Sequence, residues 1–431
     1  MRYNLDLHYH SPYAAACSKN INIPLLSKEA KLKGLNILTT ADILHPIWEK
    51  HVKENITYDS KEDLFYYKDD KNLEFSKRTY FILGCEVECR QRVHNLLYFK
   101  NWKHLEDFKK VILPHSKDIE KYGGGRPRLD LNCEQLLELC IKHKVLMGPA
   151  HVFTPYFGVY AHYDSLKEAY GKNWKEIKFI ELGLSADTNT GNIIPELKNL
   201  KFFSFSDSHS PYSFRIGREY VCCELEKPNY NSLFKLVNNI DSNKNKILYN
   251  IGYNPNEGKY NKTACRKCAQ IYTFEEAKNN SWKCIKCKST IKKGVEDRAK
   301  ELAILQGNLN LTSQNTRPDY RYLIPLAQII QLAINQKNIL HKSVLEIYNK
   351  FISKNIEIDI MQKVPFEELK IIDEKIAKYI IAFRNNFVVF KPGGAGHYGV
   401  PYVCFSEEEK ENKIKEINKE IKIKNIQKTL F

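Results

Sequence analysis

The chain has 431 residues, 43% of them hydrophobic, and a formal net charge of +16. That length exceeds the usual single-domain range and can bury a sizeable core, while the lack of a membrane-length apolar run and of an internal repeat excludes helical membrane spans and repeat solenoids. Lysine spread along the whole chain would attract a polyanion in a salt-dependent way, yet lysine, isoleucine and asparagine are also what an AT-rich genome encodes, so charge alone leaves DNA binding open.

In chain order, short buried strands are predicted at 3–7, 37–40, 80–83, 96–99, 145–148, 179–182 and 202–205, with helices such as 23–34 and 133–143 between several of them. Alternating strands and helices favour a parallel sheet or barrel, whose functional residues sit at the carboxyl ends of the strands. Seven stretches place a histidine or carboxylate where a strand runs out: Asp6 to His10, Asp42 to His45, Glu86, His94, His151, Glu181 and Asp207 to His209. His94 is the exception, because it precedes its apolar run. Period two puts Asp6, His8 and His10 on one face of a strand, and Asp207 with His209 repeats the spacing. Neutral imidazole and carboxylate suit zinc, manganese or iron, and so rich a set implies two or three ions, a kind of cluster that mostly hydrolyses phosphate esters. Lone histidines such as His51, His104, His115, His143 and His341 read as surface or core. Tyr156, Phe157, Tyr160 and Tyr163 follow His151 and form either a base-stacking pocket or an aromatic core patch.

The segment 241–262, rich in Asn, Lys, Gly and Pro, reads as a linker after a first domain over 1–240. Within 263–293, Cys265 and Cys268 are separated by fifteen residues from Cys284 and Cys287. That is the spacing of a four-thiolate structural zinc site, and the other eight cysteines show no disulfide framework. After a linker over 294–318, amphipathic helices are predicted at 322–336, 344–354 and 373–383 within a small helical domain, 319–405. The glycine-rich run from Lys391 to Gly399 lacks the Gly-Lys-Ser/Thr of a Walker loop; it either lays N–H groups against a phosphate or makes a plain turn. From 406 to 431 a charged segment, helix or solvated tail, ends in Gln427, Leu430 and Phe431 spaced like the peptides that dock on sliding clamps, and a terminal position suits a tether. No secretory leader pattern is visible, so a soluble cytoplasmic protein, nucleoid-associated through DNA, is expected.

Read together, Asp6-Leu7-His8-Tyr9-His10-Ser11-Pro12, Thr40-Ala41-Asp42-Ile43-Leu44-His45-Pro46, Glu86-Val87, Val93-His94-Asn95-Leu96-Leu97, Gly148-Pro149-Ala150-His151, Glu181 to Asp187 and Ser206-Asp207-Ser208-His209 resemble the PHP (polymerase and histidinol phosphatase) superfamily, and within it the endonuclease Q family. Gly294 to Arg298, Arg317-Pro318, Ile324-Pro325-Leu326, Ile381 to Arg384 and Lys391 to Gly399 extend the match over nearly the whole chain. The resemblance implies an α/β fold: a distorted (β/α)7-type PHP barrel, then a zinc ribbon and a small helical DNA-binding domain. It implies that His8, His10, Glu86 and Asp207 hold one divalent ion, that Glu86 bridges to a second held by His94 and His151, and that His45 and His209 serve a third. Asp42 belongs to the same metal set, and Glu86, Asp207 and His151 are the expected catalytic residues. Zinc is the expected resident metal, with magnesium or manganese for activity, beside one structural zinc in the ribbon. Asp6, Glu181 and Asp187 would support the ligands from behind. Many PHP proteins carry a further histidine or aspartate after the first motif; Ser11 to Lys19 has neither, and Cys17 is either a ligand or a buried structural thiol. The implied activity on damaged DNA is incision 5′ of a deaminated base (uracil, hypoxanthine, xanthine) or an abasic site by metal-activated water, leaving a 3′-hydroxyl and a 5′-phosphate. Ser185 and Asn189 either form turns, the favoured reading, or read a flipped base. The alternatives are a PHP phosphoesterase of other specificity, histidinol-phosphatase-like or a 3′–5′ exonuclease, and a noncatalytic clamp-associated scaffold.

Overall fold

The computed structural model describes residues 1–121, 123–313 and 317–426, so Gln427, Leu430 and Phe431 lie outside the described residues. The chain divides into two compact units: Met1–Tyr253 with Val295–Arg321, and Asn254–Gly294 with Tyr322–Phe431. No helix among the described residues is long and apolar enough to cross a membrane.

The first unit is a mixed α/β structure with eleven strands up to Gly252: β1 (Arg2–Asp6), β2 (Ile37–Thr39), β3 (Ile56–Asp59), β4 (Leu64–Tyr67), β5 (Tyr80–Glu88), β6 (His94–Phe99), β7 (Leu146–Pro149), β8 (Phe179–Glu181), β9 (Lys201–Phe203), β10 (Tyr220–Glu224) and β11 (Lys246–Gly252). Strand β1 runs parallel to β2, and β2 parallel to β5, with Leu5 opposite Ile37 and Ile37 opposite Tyr80, so their carboxyl ends share one edge. Strands β6 and β7 continue from β5 in antiparallel pairings, and β8 with β9 forms a separate parallel pair. The pairing is therefore only partly parallel. Because β6 runs against β5, its first residue, His94, sits at the edge where β5 ends; this is why the ligand that precedes its strand still belongs with those that follow theirs.

Alternation and burial explain most of the elements. All nine residues of β5 are buried, and Leu5, Ile37, Ile82, Leu96, Phe179, Phe203 and Val221 share one core, each such side chain contributing about 1.5–3 kcal/mol on burial. The helix Ile23–Lys33 starts where Asn22 accepts from the Leu25 N–H and stops at Gly34, whose φ of 97° is left-handed. Strands β3, β4, β10 and β11 were not expected. Strand β11 falls inside the segment read as a linker, where Asn and Lys mask the buried alternation of Ile247, Tyr249 and Ile251. The helix Val295–Leu305 likewise falls in the second supposed linker. Arg298 ties it to this unit, donating to the carbonyls of Tyr160 and Tyr163 at 2.9 Å each and to Asp164 at 2.6 Å.

The second unit carries the ribbon, with Ala264–Cys265 antiparallel to Ile291–Lys292, and the helices Leu326–Ala333, Lys342–Ile352, Glu357–Gln362, Phe366–Ile372, Glu374–Arg384 and Glu407–Ile426. Buried Glu357 joins three of them, accepting from the Leu326 N–H at 3.0 Å and from the Tyr348 hydroxyl at 2.7 Å. The unit is not purely helical: Val388–Lys391 and Val400–Val403 form a hairpin around the glycine-rich run. Of the two roles expected of it, the run takes the turn, with Gly394 and His397 exchanging backbone hydrogen bonds at 3.0 and 3.1 Å across the end of the hairpin. The Gly393, Gly396 and Gly399 amides donate to the carbonyls of Asn256, Lys259 and Glu257 at 2.8–2.9 Å, so they are spent on backbone rather than held out to a phosphate. A Cβ on Gly399 would lie 2.1 Å from the Asn256 carbonyl oxygen, which is the reason the run is glycine-rich.

Glu219 gives the first unit a pH-dependent stability. Burial pushes its carboxyl up to about 8 from an ordinary 4.5, beside the Tyr253 N–H at 2.9 Å. Between those values the folded chain keeps a proton that the unfolded chain has lost, so this contribution is full below about pH 4.5 and falls away as pH rises through about 8. Glu219→Gln keeps the acceptor and removes the ionisation; thermal melts are expected to show a higher Tm than wild type near pH 8.5 and little change near pH 4.5.

Candidate metal centre

Two groups of side chains gather at the edge where β1, β2, β5, β7, β8 and β9 end and β6 begins. His8 and His10 follow β1, Glu86 lies near the end of β5, His151 follows β7, Glu181 closes β8, and Asp207 and His209 follow β9. The loops after β1 and β9 are stitched together by the His10 N–H donating to the Ser208 carbonyl at 2.9 Å. Asp6 supports this from below, accepting from the Ser206 N–H at 3.0 Å and the Gly217 N–H at 2.7 Å, with its carboxyl pushed up to about 6 by burial.

Two donor clusters share Glu86. In the first, His8, His10 and Asp207 present ligand atoms within 4.8 Å of one another. His10 Nε2 lies 3.3 Å from Asp207 Oδ1 and 3.4 Å from Glu86 Oε2; His8 Nε2 lies 3.5 Å from Glu86 Oε1. In the second, His94 Nδ1 and His151 Nε2 lie 2.9 and 3.0 Å from Glu86 Oε1 and 3.3 Å from each other. Donors each about 2.1 Å from a tetrahedral ion stand about 3.4 Å apart, so both sets have the spacing an ion requires. The Nε2 atoms of His8 and His10 are buried with no hydrogen-bond partner, a state that costs free energy unless something fills the space between them. The residues present fit divalent ions.

The far side of three rings is occupied by carboxylates. His8 Nδ1 meets Glu181 at 2.8 Å, His10 Nδ1 meets Asp42 at 3.1 Å, and His94 Nε2 meets Glu88 at 3.0 Å. A carboxylate that accepts from the outer nitrogen leaves the lone pair of the other aimed inward, which is how metal-binding histidines are set. Glu181 also accepts from the His151 N–H at 2.9 Å. Burial alone would push the carboxyls of Glu86 and Asp207 up, but His94, His8 and Arg126 around Glu86, and His8, His10 and His209 around Asp207, hold both well below the usual range. The backbone is strained at the site: Asp42, His151 and Asp207 have φ of 33°, 30° and 44°, left-handed values that cost about 1–3 kcal/mol for such residues.

Several expected residues do other work. Asp42 joins neither cluster; one oxygen faces His10 and the other accepts from the Ser11 N–H at 2.6 Å, so it stands behind a ligand. His45 is in neither cluster either: its ring stacks on Tyr13 at 4.2 Å, at the start of the helix Pro46–Asn55. His209 approaches Asp207 at 3.7 Å through Nε2 while its Nδ1 meets Cys17 Sγ at 3.1 Å, so Cys17 contacts a candidate ligand. Asp187 caps the short helix Thr188–Asn192. Of the four aromatics after His151, Phe157 stacks on His94 at 4.7 Å, whereas Tyr160 is buried with its hydroxyl on Glu196. Glu88 and Arg126 were missed. Glu88 could have been found, since a hairpin joining β5 to β6 places it opposite His94; Arg126 sits on a loop with no periodic signal.

In the second unit Cys265 Sγ lies 3.4 Å from Cys287 Sγ and Cys268 Sγ 3.6 Å from Cys284 Sγ, close to the roughly 3.8 Å between sulfurs around a tetrahedral zinc. The Tyr272 hydroxyl donates to Cys284 Sγ at 3.1 Å. Cys268→Ser is expected to lower metal content by about one equivalent without changing that of the histidine clusters, read by elemental analysis. Glu181→Gln is expected to weaken metal binding at the clusters by roughly 10–100-fold in chelator competition. Asp187→Asn is expected to leave it unchanged and to shift stability by less than about 1 kcal/mol.

Residues 325–387 match the family described as the MJ0043 C-terminal domain. Over 253 residues, 57% of this chain, the sequence is 39% identical to the protein MJ0043 of Methanocaldococcus jannaschii, and the match spans only 31% of that relative's length. Among solved structures, the crystal structure of the lesion-specific endonuclease PfuEndoQ from Pyrococcus furiosus has a TM-score of 0.84 and 38% identity, covering 94% of this chain and 96% of that one. An endonuclease Q in complex with a 27-mer duplex bearing an abasic lesion at its active site gives 0.84 and 37%, covering 94% and 97%. Such identity over nearly the full length of both chains means that this chain belongs to the endonuclease Q family.

Proposed function

We propose that the chain is a lesion-specific DNA-repair endonuclease whose reaction centre is the pair of histidine–carboxylate clusters around Glu86. The observation that carries this reading is the buried, partnerless pair of His8 and His10 Nε2 atoms facing Glu86 and Asp207, in a chain of this family. The substrate would be duplex DNA with an abasic site or a deaminated base such as uracil, hypoxanthine or xanthine, cut 5′ of the lesion to leave a 3′-hydroxyl and a 5′-phosphate. Strands β1, β2, β5, β6, β7, β8 and β9 are read as the distorted (β/α)7-type PHP barrel.

His8, His10, Asp207 and Glu86 would hold one ion, and Glu86, His94 and His151 a second, with His209 and His45 serving a third; zinc suits these donors, and magnesium or manganese would support activity. Ions there would supply an acidified water for attack on phosphorus and positive charge for the departing 3′ oxygen. The chain's own contribution is positional. Glu86 fixes the spacing of the two clusters, Glu181, Asp42 and Glu88 hold the imidazoles in one orientation, and Asp207, whose side chain is 32% exposed, offers the open side where a phosphodiester can lie. The ribbon, with Arg266, Lys267, Lys283, Lys286 and Lys288 around its thiolates, and the helices of the second unit would contact the DNA backbone. The terminal Gln427, Leu430 and Phe431 would tether the enzyme to a sliding clamp, placing it on the nucleoid.

End-labelled duplexes carrying one uracil, one hypoxanthine, one abasic site or none, incubated with protein and manganese or magnesium, test this. One nick immediately 5′ of each lesion is expected, absent from undamaged DNA and reduced at least about 100-fold by Asp207→Ala. Uniform degradation would replace the reading with an exonuclease, and turnover of a phosphate monoester without nicking would replace it with a phosphatase.

A further inference from the structure

Arginine is scarce in this chain, thirteen residues against fifty-four lysines, yet four of the thirteen are Arg90, Arg92, Arg126 and Arg128. The two segments that carry them lie side by side: the Glu88 N–H donates to the Pro127 carbonyl at 3.0 Å, the Leu129 N–H to the Glu88 carbonyl at 2.8 Å, and the Arg90 N–H to the Leu131 carbonyl at 2.8 Å. Two of the four are satisfied on the surface, Arg90 by Asp130 and Arg128 by Asp118, at 2.8 and 2.9 Å. The other two turn toward the metal centre. Arg92 makes no ion pair among the described residues, although its charge reaches the Glu88 carboxylate, and its guanidinium lies 4.5 Å from the centre of the Phe157 ring. Arg126 lies 5.8 Å from the same centre, one Nη 3.3 Å from Glu86 Oε2, with its side chain 25% exposed. Phe157 itself stacks on His94 at 4.7 Å.

We propose that Arg92 and Arg126 form a phosphate clamp at the mouth of the metal centre: Arg126 takes a non-bridging oxygen of the phosphate being cut, and Arg92 takes the next phosphate of the same strand. This rests on the endonuclease reading. A guanidinium is a planar fork, so Arg126 can keep one N–H on Glu86 and offer another nitrogen to phosphate, whereas a lysine would have to serve both acceptors from one nitrogen. Phe157 sets the height of both cations over the cluster, because it is stacked on His94 and its carbonyl accepts from the His94 N–H at 3.0 Å. The loop bearing Arg126 can come this close only because residue 125 is glycine; a Cβ there would stand 2.7 Å from Asp42 Oδ2. The left-handed φ values of Gln91 and Arg92, 62° and 66°, belong to the turn that brings Arg92 over the ring.

The test uses full-length, metal-loaded protein and a fluorescein-labelled duplex with one tetrahydrofuran abasic analogue. Wild type, Arg126→Lys, Arg126→Ala and Arg92→Ala are compared for kcat, KM, metal content, and the slope of log affinity against log salt measured by anisotropy without added magnesium or manganese. Arg126→Lys is expected to lose about 100-fold in kcat with KM and metal content unchanged, Arg92→Ala to act on KM, and each alanine variant to flatten the salt slope by about 0.9. Full kcat for Arg126→Lys, loss of metal in step with loss of activity, or unchanged salt slopes for both alanine variants would overturn the clamp. If wild type nicks no lesion duplex, the endonuclease reading fails on its own, and the salt slopes alone then decide the clamp: flattened slopes uphold phosphate binding by these two arginines, and unchanged slopes reject it.

Discussion

A carboxylate that is 2% exposed and shared by four imidazoles is the constraint from which the rest of the first unit follows. Removing Glu86 from water is costly unless positive charge surrounds it, and His8, His10, His94, His151 and Arg126 all lie within 3.5 Å. Those five residues come from four separate stretches of chain, so satisfying one side chain specifies where the ends of β1, β5, β6 and β7 must meet. The outer carboxylates Glu181, Asp42 and Glu88 extend the same logic by one layer, each removing a rotational freedom from a ring. Left-handed backbone at His151 and Asp207 is tolerated because the surrounding network leaves those residues no other position.

Much of this was legible in the chain itself. Period-two spacing of His8 with His10, repeated by Asp207 with His209, places side chains on one face of an extended segment, and four cysteines in two close pairs have few structural uses. The seven expected strands were found to within a few residues because each is a short run of buried apolar residues, whereas β3, β4, β10 and β11 were missed. What could not be read was direction. Nothing in the run from His94 to Phe99 says that it lies antiparallel to β5, and only that reversal returns His94 to the functional edge. Direction also decided Glu88, invisible as a ligand support until the register with His94 is known.

Other gaps have different physical origins. Asp42 was grouped with the ligands because composition cannot tell a carboxylate that faces a metal from one that faces the back of an imidazole; the difference is a bond to the Ser11 amide. Strand β11 and the helix Val295–Leu305 were hidden because Asn, Lys and Gly at their margins look like a linker, while their burial depends on partners far away in sequence. The glycine-rich run shows that the absence of side chains has two explanations, room for a ligand and room for another backbone, and here the backbone of 256–259 takes the space.

The exposure of the candidate ligands is uneven. His8, His10, Glu86, His94 and His151 are sealed, with side-chain exposures of 7% or less, while Asp207 and His209 stand 32% and 38% open. Among these candidate ligands the open side therefore lies on the loop after β9. An ion on its way in and a phosphate on its way to the reaction would both approach past Asp207 and His209, so a phosphate seated there would cover the route by which the cluster is filled. Under the proposed function, loading would precede substrate, and an enzyme stripped of metal while holding DNA would be refilled only after the DNA leaves.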